Sequence, residues 1–548
     1  MMASSAEHDW QEDRHHMKTA GIFLHPRFRI GQISPRLYGA FLEPIGTMVN
    51  GSMYNPKHRT ADKDGFRQDF MAALKAAGLP ALRLPGGNFV SGWDWKHSIG
   101  PRDKRRAQLD TAWHQYYTNE VGYDEYLRWT EAIGAEAMVT INLGTNGLRD
   151  ALHQVEYTNH KGGSYWADLR RQHGREAPYG VKTWYLGNEM DGPWQIGSFE
   201  KDPKAYGVLA HEVSKGMKWT DPGIETVACV SSSPFLAHYP DWDLQVLQEC
   251  YETVDYISLH HYHIAAPGNY EALLGGSCYF EDYIRTEIAL CDFVQTKLRS
   301  PRRMLLSFDE FGSRQQELKG VLPGRGAEWP HTFDRHREYV RHDPDNMVPT
   351  TAFVQRGDML DALSSASTLL TLLKYADRIK IGCMTSGLHT LVAANRDHVF
   401  KPIAHYPFKL MMQYGQGVSL RTEVTCDTFD IPGYAPTHQF QYSARKGIRY
   451  VDAAAAYHAA AGELAVFVVN KDAGQDRLLE IDIGAFEGCR LLEHQVLHSA
   501  DLNQMNTFET PDAVLPVSNP DASMKHGKLS AVIPRLSFNL FRMAVKGL

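Results

Sequence analysis

Between Pro35 and about Gly415, short apolar segments alternate eight times with longer, mixed ones, and few folds tolerate that rhythm. The apolar segments are Arg36–Phe41, Ala81–Pro85, Ala137–Leu143, Lys182–Leu186, Thr226–Ser231, Val254–His260, Arg303–Phe308 and Arg378–Cys383. The stretches between them are amphipathic. Gly65–Gly78 places Phe66, Phe70, Leu74 and Ala77 on one face and stops at a capping glycine; Tyr123–Gly134 repeats the device with Tyr126, Leu127, Trp129, Thr130 and Ile133. Eight strands alternating with helices predict an α/β fold, a (β/α)8 barrel over residues 35–414. The alternative, an open doubly wound sheet, is disfavoured because no G-x-G-x-x-G follows the first strand.

After about Gly415 the pattern changes to strands at short spacing, as in Leu464–Asn470, Leu478–Ile483, Arg490–Leu497 and Leu529–Val545. This predicts a C-terminal all-β sandwich of jelly-roll type over 415–548. Residues 18–34 contain a strand, Ile22–Ile30, that is expected to pair into it. The Ala-rich segment Ala453–Ala461 reads as a turn or loose helix, and residues 1–17 as a disordered tail.

A net charge of −7 and a pI near 6.4 exclude a nucleic-acid scaffold. The basic run Arg102–Arg106 is short and interrupted by Asp103, as a solvated loop face would be. The 7 cysteines are scattered without metal-site spacing, which fits reduced thiols in a cytoplasmic protein. Residues 1–17 are polar and unlike a secretory signal, and no window approaches the ~18 apolar residues of a membrane span. No membrane or nucleic-acid partner is therefore expected.

The fourth strand candidate ends on Leu186-Gly-Asn188-Glu189, and the seventh runs through Ser307-Phe-Asp309-Glu310. In a barrel, such strand ends lie where catalytic groups collect. Strands four and seven face each other across the mouth, so two carboxyl groups would flank one bond, the requirement for cleaving a sugar acetal. Glu189, near Trp194 and apolar neighbours, is the expected general acid/base, and Glu310 the ionised nucleophile. A separation of about 5–5.5 Å would mean retention of anomeric configuration. Asn188 can donate to a sugar hydroxyl. In the loop Leu82–Trp95, Gly86 and Gly87 allow close backbone approach to a ligand, Asn88 offers donor and acceptor, and Trp93 and Trp95 offer stacking faces. Glu43, at the first strand's tip, is a further hydroxyl binder. Within His260-His261-Tyr262-His263, His260 and Tyr262 are expected to hydrogen-bond nucleophile or substrate, with His261 and His263 incidental. A metal would need further ligands from other strands, and Asp255 and Asp309 are poorly placed for that, so no metal or cofactor is expected.

These residues together resemble glycoside hydrolase family 51, the retaining α-L-arabinofuranosidases. The strongest segments are Arg83–Trp95, Ile99–Arg102, Leu186–Gly197, Ser258–His260 and Ser307–Glu310. The resemblance implies Glu189 as acid/base, Glu310 as nucleophile, and Glu43, Asn88, Asn188 and Tyr262 as sugar-binding positions. It also implies a barrel with a sandwich, action on terminal arabinofuranosyl groups of arabinan- and arabinoxylan-type oligosaccharides, no metal, and a homohexamer. The chain departs from the family at Pro44, where a His is usual, and at Phe311-Gly312, where Trp-Asn is usual. Near the eighth strand Ser386 is expected in place of a sugar-binding Gln. The basic loop from Ser313 to about Asp345 is a natural specificity element. Readings that remain open are the same chemistry on another furanoside such as a β-D-galactofuranoside, or on a β-xyloside, a metal-dependent hydrolase using His260–His263, and a non-catalytic sugar-binding barrel.

Overall fold

The computed structural model describes residues 17–315, 339–341, 357–385, 387–436 and 440–546. The predicted tail thus lies, apart from Met17, outside the described residues. Eight parallel strands close into a barrel in the chain order Gly39–Phe41, Ala81–Leu84, Glu136–Thr140, Thr183–Leu186, Glu225–Cys229, Tyr256–Ala265, Leu305–Gln315 and Ile379–Met384. Each matches one apolar segment of the sequence. The first is shortened, because Pro35 at the first helical position and the Ser34 side chain, which accepts from the Arg36 amide, start a one-turn 3-10 helix over Pro35–Tyr38.

The barrel interior is filled by side chains from successive strands, among them Phe41, Met138, Tyr185, Val227, Ile381 and Cys383. The helices between strands bury the faces their periodicity marks: Phe70, Leu74 and Ala77 in Gln68–Ala77, with Gly78 at φ 82° ending it.

The sixth and seventh strands run well past their predicted ends, to Ala265 and Gln315. Their pairing shifts register between Ser307 and Glu310. Glu310 therefore follows an irregularity within a strand and does not sit at its terminus. Such an irregularity re-aims the side chain, here toward the mouth.

The second unit is an open, curled ten-stranded sheet. Lys18–Gln32 lies inside it, antiparallel to Val418–Thr425 and parallel to Arg477–Asp482. Strand Glu463–Asn470 buries both faces: Leu464, Val466 and Val468 inside the curl, and Ala465, Phe467 and Val469 against the barrel side. Helix Met359–Lys374, buried at every position but its last, fills the seam between the two units. The Ala-rich segment is a strand, Val451–His458, followed by one 3-10 turn, and not a turn or loose helix. Ala has no strand preference of its own; pairing with Glu463–Asn470 along its whole length overrides it, and the small side chains admit the seam helix. Among the described residues, no helix is long and apolar enough to cross a membrane.

Candidate active site

The C-terminal mouth of the barrel holds a pocket of about 500 Å³, open to solvent, whose walls include Glu43, Asn88, Trp113, Glu189, Tyr262 and Glu310. Glu189 ends the turn after the fourth strand with φ 45°, a left-handed backbone that a residue with a side chain adopts only when its surroundings impose it. Its Oε1 receives a hydrogen bond from His260 Nδ1 at 2.9 Å and its Oε2 one from Trp194 Nε1 at 2.6 Å. Glu310 is gripped at both oxygens, by Arg83 Nη1 at 2.7 Å and by the Tyr262 hydroxyl at 2.6 Å. One oxygen of Glu189, one of Glu310 and a ring nitrogen of His260 all lie within 4.8 Å of one another.

Arg83 organises this cluster. It is fully buried between the rings of Phe41 and Tyr185, about 5 Å from each centroid, and its guanidinium also reaches Asp309 Oδ2 at 3.0 Å and Asn188 Oδ1 at 2.7 Å. Asn188 in turn donates to Asn88 Oδ1 at 3.1 Å, which leaves it one further amide proton for a ligand. The sequence reading placed no role on Arg83. A lone cation inside the apolar strand Ala81-Leu-Arg-Leu84 was the available signal, since buried arginines are almost always paired. Trp113, in the turn between Gln108–Asp110 and Gln115–Tyr117, and Thr385, whose hydroxyl lies 2.9 Å from that of Tyr262, were also missed; neither stands in a periodic pattern.

The charges sort into two kinds. Burial pushes Asp309 up, but Arg83 and His260 outweigh it and hold the carboxyl below its usual range. Burial pushes His260 down, and Glu310, Asp309 and Glu189 together raise it to about 10, so the imidazole is protonated. Burial, aided by the nearby Glu310 charge, raises Glu189 against the hydrogen bonds from His260 and Trp194. Burial and Glu310 likewise raise Glu43 to about 8, against the hydrogen bond from the Phe89 amide. The mouth thus sets two cations, Arg83 and His260, against Asp309, whose charged form they favour, while burial favours the neutral forms of Glu189 and Glu43 beside them.

Several expectations are corrected. Trp95 does not face a ligand: it is 1% exposed, donates to Asp150 Oδ2 at 3.2 Å and packs on Tyr123, Tyr157 and Trp166. Trp93 is equally buried and donates to Asn119. An indole inside an aromatic core satisfies its N–H there and has no face left for a sugar. The glycine pair makes room for a protein side chain: a Cβ on Gly87 would lie 2.5 Å from Glu43 Oε1. Trp194 acts on Glu189 and does not line the pocket. Ser386 lies outside the described residues, and Thr385 occupies the adjoining wall. His261 and His263, expected to be incidental, are indeed core residues: burial holds His261 at about 3, stacked on Phe280, and His263 at about 4, with its ring on the Ala272 carbonyl.

Of the departures, Phe311 is buried in the core and the Pro44 carbonyl accepts from Gln115. The loop expected to set specificity lies outside the described residues except for 313–315 and 339–341. There the Val340 backbone bonds His114 and Tyr116, next to Trp113.

Glu189, His260 and Glu310 also have the spacing of a metal-ligand set. His260, however, has one ring nitrogen on Glu189 and the other, at 3.3 Å, on Asp309, so both are already engaged within the protein. Asp255, the other residue weighed as a ligand, pairs with Lys218 and Arg302 away from the mouth.

Comparison with known proteins agrees with this layout. Residues 71–273 match the family described as "Alpha-L-arabinofuranosidase 1 domain" and residues 328–537 that described as "Alpha-L-arabinofuranosidase C-terminal domain". The chain is 36% identical over 531 residues to the intracellular exo-α-(1→5)-L-arabinofuranosidase 1 of Bacillus subtilis, covering 96% of this chain and 99% of that one. It is 30% identical to an exo-α-(1→6)-L-arabinofuranosidase of Bifidobacterium longum, covering 97% and 99%. The solved structure of AbfB, a family 51 α-L-arabinofuranosidase of B. longum, superposes with a TM-score of 0.83 at 30% identity, covering 96% and 99%. An arabinose complex of the Thermotoga maritima α-L-arabinofuranosidase gives 0.80 at 27%, with the same coverage.

Proposed function

The chain belongs to the α-L-arabinofuranosidases of glycoside hydrolase family 51, and from that premise we propose that it releases terminal α-L-arabinofuranosyl groups from arabinan- or arabinoxylan-type oligosaccharides with retention of configuration. The observation that carries this reading is the carboxyl spacing: oxygens of Glu189 and Glu310 lie within 4.8 Å across the pocket. Retaining enzymes hold the pair about 5–5.5 Å apart, whereas inverting enzymes need roughly 6.5–9.5 Å to seat a water between them.

In the first step Glu310 attacks the anomeric carbon and Glu189 gives its proton to the departing glycosidic oxygen, which leaves a glycosyl ester on Glu310. In the second, Glu189 takes a proton from water as that water attacks the anomeric carbon and frees Glu310. Arg83 and Tyr262 hold the nucleophile in place, and Glu43, Asn88 and Asn188 engage sugar hydroxyls. His260 and Trp194 aim Glu189. We infer a cytoplasmic protein from the scattered cysteines and, from the family resemblance, a homohexamer, which light scattering on the purified 61.9 kDa chain would check.

The test is turnover by two variants. Glu310→Ala abolishes hydrolysis of p-nitrophenyl α-L-arabinofuranoside. Glu189→Ala loses roughly 10²–10⁴-fold on an arabino-oligosaccharide but far less on the aryl substrate, whose leaving group needs little protonation. Equal losses on both substrates, or activity lost to a chelator, would overturn the mechanism. A panel of p-nitrophenyl furanosides and pyranosides then ranks the sugars.

A further inference from the structure

The chain carries a net charge of −7, yet one cleft away from the barrel mouth has the opposite character. It lies between helices Ser277–Leu298 and Met359–Lys374 on one side and strands Val418–Thr425, Arg445–Arg449 and Val451–His458 on the other, with about 1610 Å³ open to solvent. Seven Lys and Arg side chains line it, against three carboxylates.

The floor is out of balance. Lys374 and Lys471 converge on the single carboxylate of Asp452, Lys374 at one oxygen and Lys471 at the other, 3.5 Å away. Lys471 is 5% exposed, and its only other partner among the described residues is the neutral Ser277 hydroxyl at 3.2 Å. A buried ammonium, Lys471, and a partly exposed one, Lys374, thus share one negative charge. A buried surplus charge is unfavourable until a counter-charge meets it. On the rim, Lys446 and Arg449 are exposed, and among the described residues neither takes part in an ion pair.

The lining also indicates what kind of anion fits. Tyr375 is the one aromatic residue in it, so it offers no run of flat faces for sugar rings. Arg285, Arg421 and Arg445 are paired with Glu281, Glu423 and Asp282, which leaves Lys374, Lys471, Lys446 and Arg449 lining one cleft, an arrangement that suits a small ligand with several charges. Arg and Lys in that arrangement recognise phosphoryl oxygens through charge-assisted hydrogen bonds.

We propose that this cleft binds a compact multivalent anion of the phosphate class, met from the floor by Lys374 and Lys471 and from the rim by Lys446 and Arg449. The proposal does not depend on the hydrolytic mechanism. Inorganic polyphosphate and sugar phosphates share the chemistry, so titration calorimetry on the full chain uses sodium tripolyphosphate and glucose 6-phosphate as separate arms, with trigalacturonate as a carboxylated-sugar control. Saturable one-site binding is expected in at least one phosphate arm. The double variant Lys446→Ala/Arg449→Ala should weaken it roughly tenfold or more while leaving p-nitrophenyl arabinofuranoside turnover unchanged. Lys471→Met should weaken it as well; should that variant not fold, the rim variant decides. Absence of saturable phosphate binding, wild-type affinity in the rim variant, or tighter binding of trigalacturonate would each overturn the proposal, the last by making the cleft a site for carboxylated sugars.

Discussion

The barrel mouth and the cationic cleft both bury charge, and they balance it differently. At the mouth, Arg83 and His260 stand against Asp309 and Glu310, with contacts from 2.7 to 3.7 Å. In the cleft, Lys374 and Lys471 have Asp452 alone. A cluster with as many cations as carboxylates needs no counter-charge from outside, so it can hold Glu189 and Glu310 in a fixed arrangement. An unmatched one leaves charge available for a ligand. The same rule, that buried charge must be met, gives a closely paired cluster in one place and two ammonium groups on one carboxylate in the other.

Cutting the central cation at the mouth should have the largest effect. Arg83→Met leaves Asp309 and Glu310 facing each other with His260 alone, and urea denaturation should show a loss of about 3–5 kcal/mol. A loss under about 1 kcal/mol would mean that the mouth is not balanced through Arg83.

The corresponding cut in the cleft is Asp452→Asn, which leaves the buried Lys471 ammonium without a counter-charge and should cost about 3 kcal/mol at neutral pH. Lys374 and Lys471 outweigh burial and depress Asp452 to about 2. Its contribution is therefore present above the ordinary carboxyl range of about 4 and is lost as pH falls toward 2, so wild type and variant should converge only below about pH 4. Convergence at higher pH would refute the pairing.

Glu43 tests the protonated half of the mouth. Its folded-state value of about 8 lies above the ordinary carboxyl range, so the folded protein holds a proton that the unfolded chain has released. Stability therefore declines as pH rises from the ordinary range through about 8. Glu43→Gln removes that slope, and comparing denaturation at pH 6 and pH 9 should show the variant gaining on wild type at the higher pH. The alkaline limb of kcat/KM should likewise move in Glu43→Gln, leaving the contribution of Glu189. Parallel slopes in the two proteins would place Glu43 outside the titration.

The smallest effect is expected for Lys374→Met, which turns the two-to-one cluster of the cleft into a one-to-one pair. Stability should change by less than about 1 kcal/mol. A loss as large as that of Arg83→Met would show that the cleft is balanced after all.

Much of the barrel was legible because its strands are buried on both faces and stand out as short apolar runs. Gly78 and Gly134 mark helix ends for the same kind of local reason, left-handed backbone at the cap. The placement of Glu189 and Glu310 at one mouth was legible because the C-terminal ends of barrel strands share one face. The Ala-rich strand Val451–His458 was not, since its identity depends on a partner strand and on a helix that packs on it. Trp95 misled because an indole that stacks on sugar and an indole that fills a core are the same residue until its neighbours are known.

What the sequence by itself determined is the barrel, the all-β second unit, and two carboxyl groups at strands four and seven, because periodicity and strand order are local properties of the chain. What only the tertiary structure decided is which groups meet. Arg83 lies 105 positions from Asn188 and 227 from Glu310 yet bonds both, and Lys374 reaches Asp452 across 78. Protonation states and unmatched charges arise from burial and distance in space, and spacing along the chain carries neither.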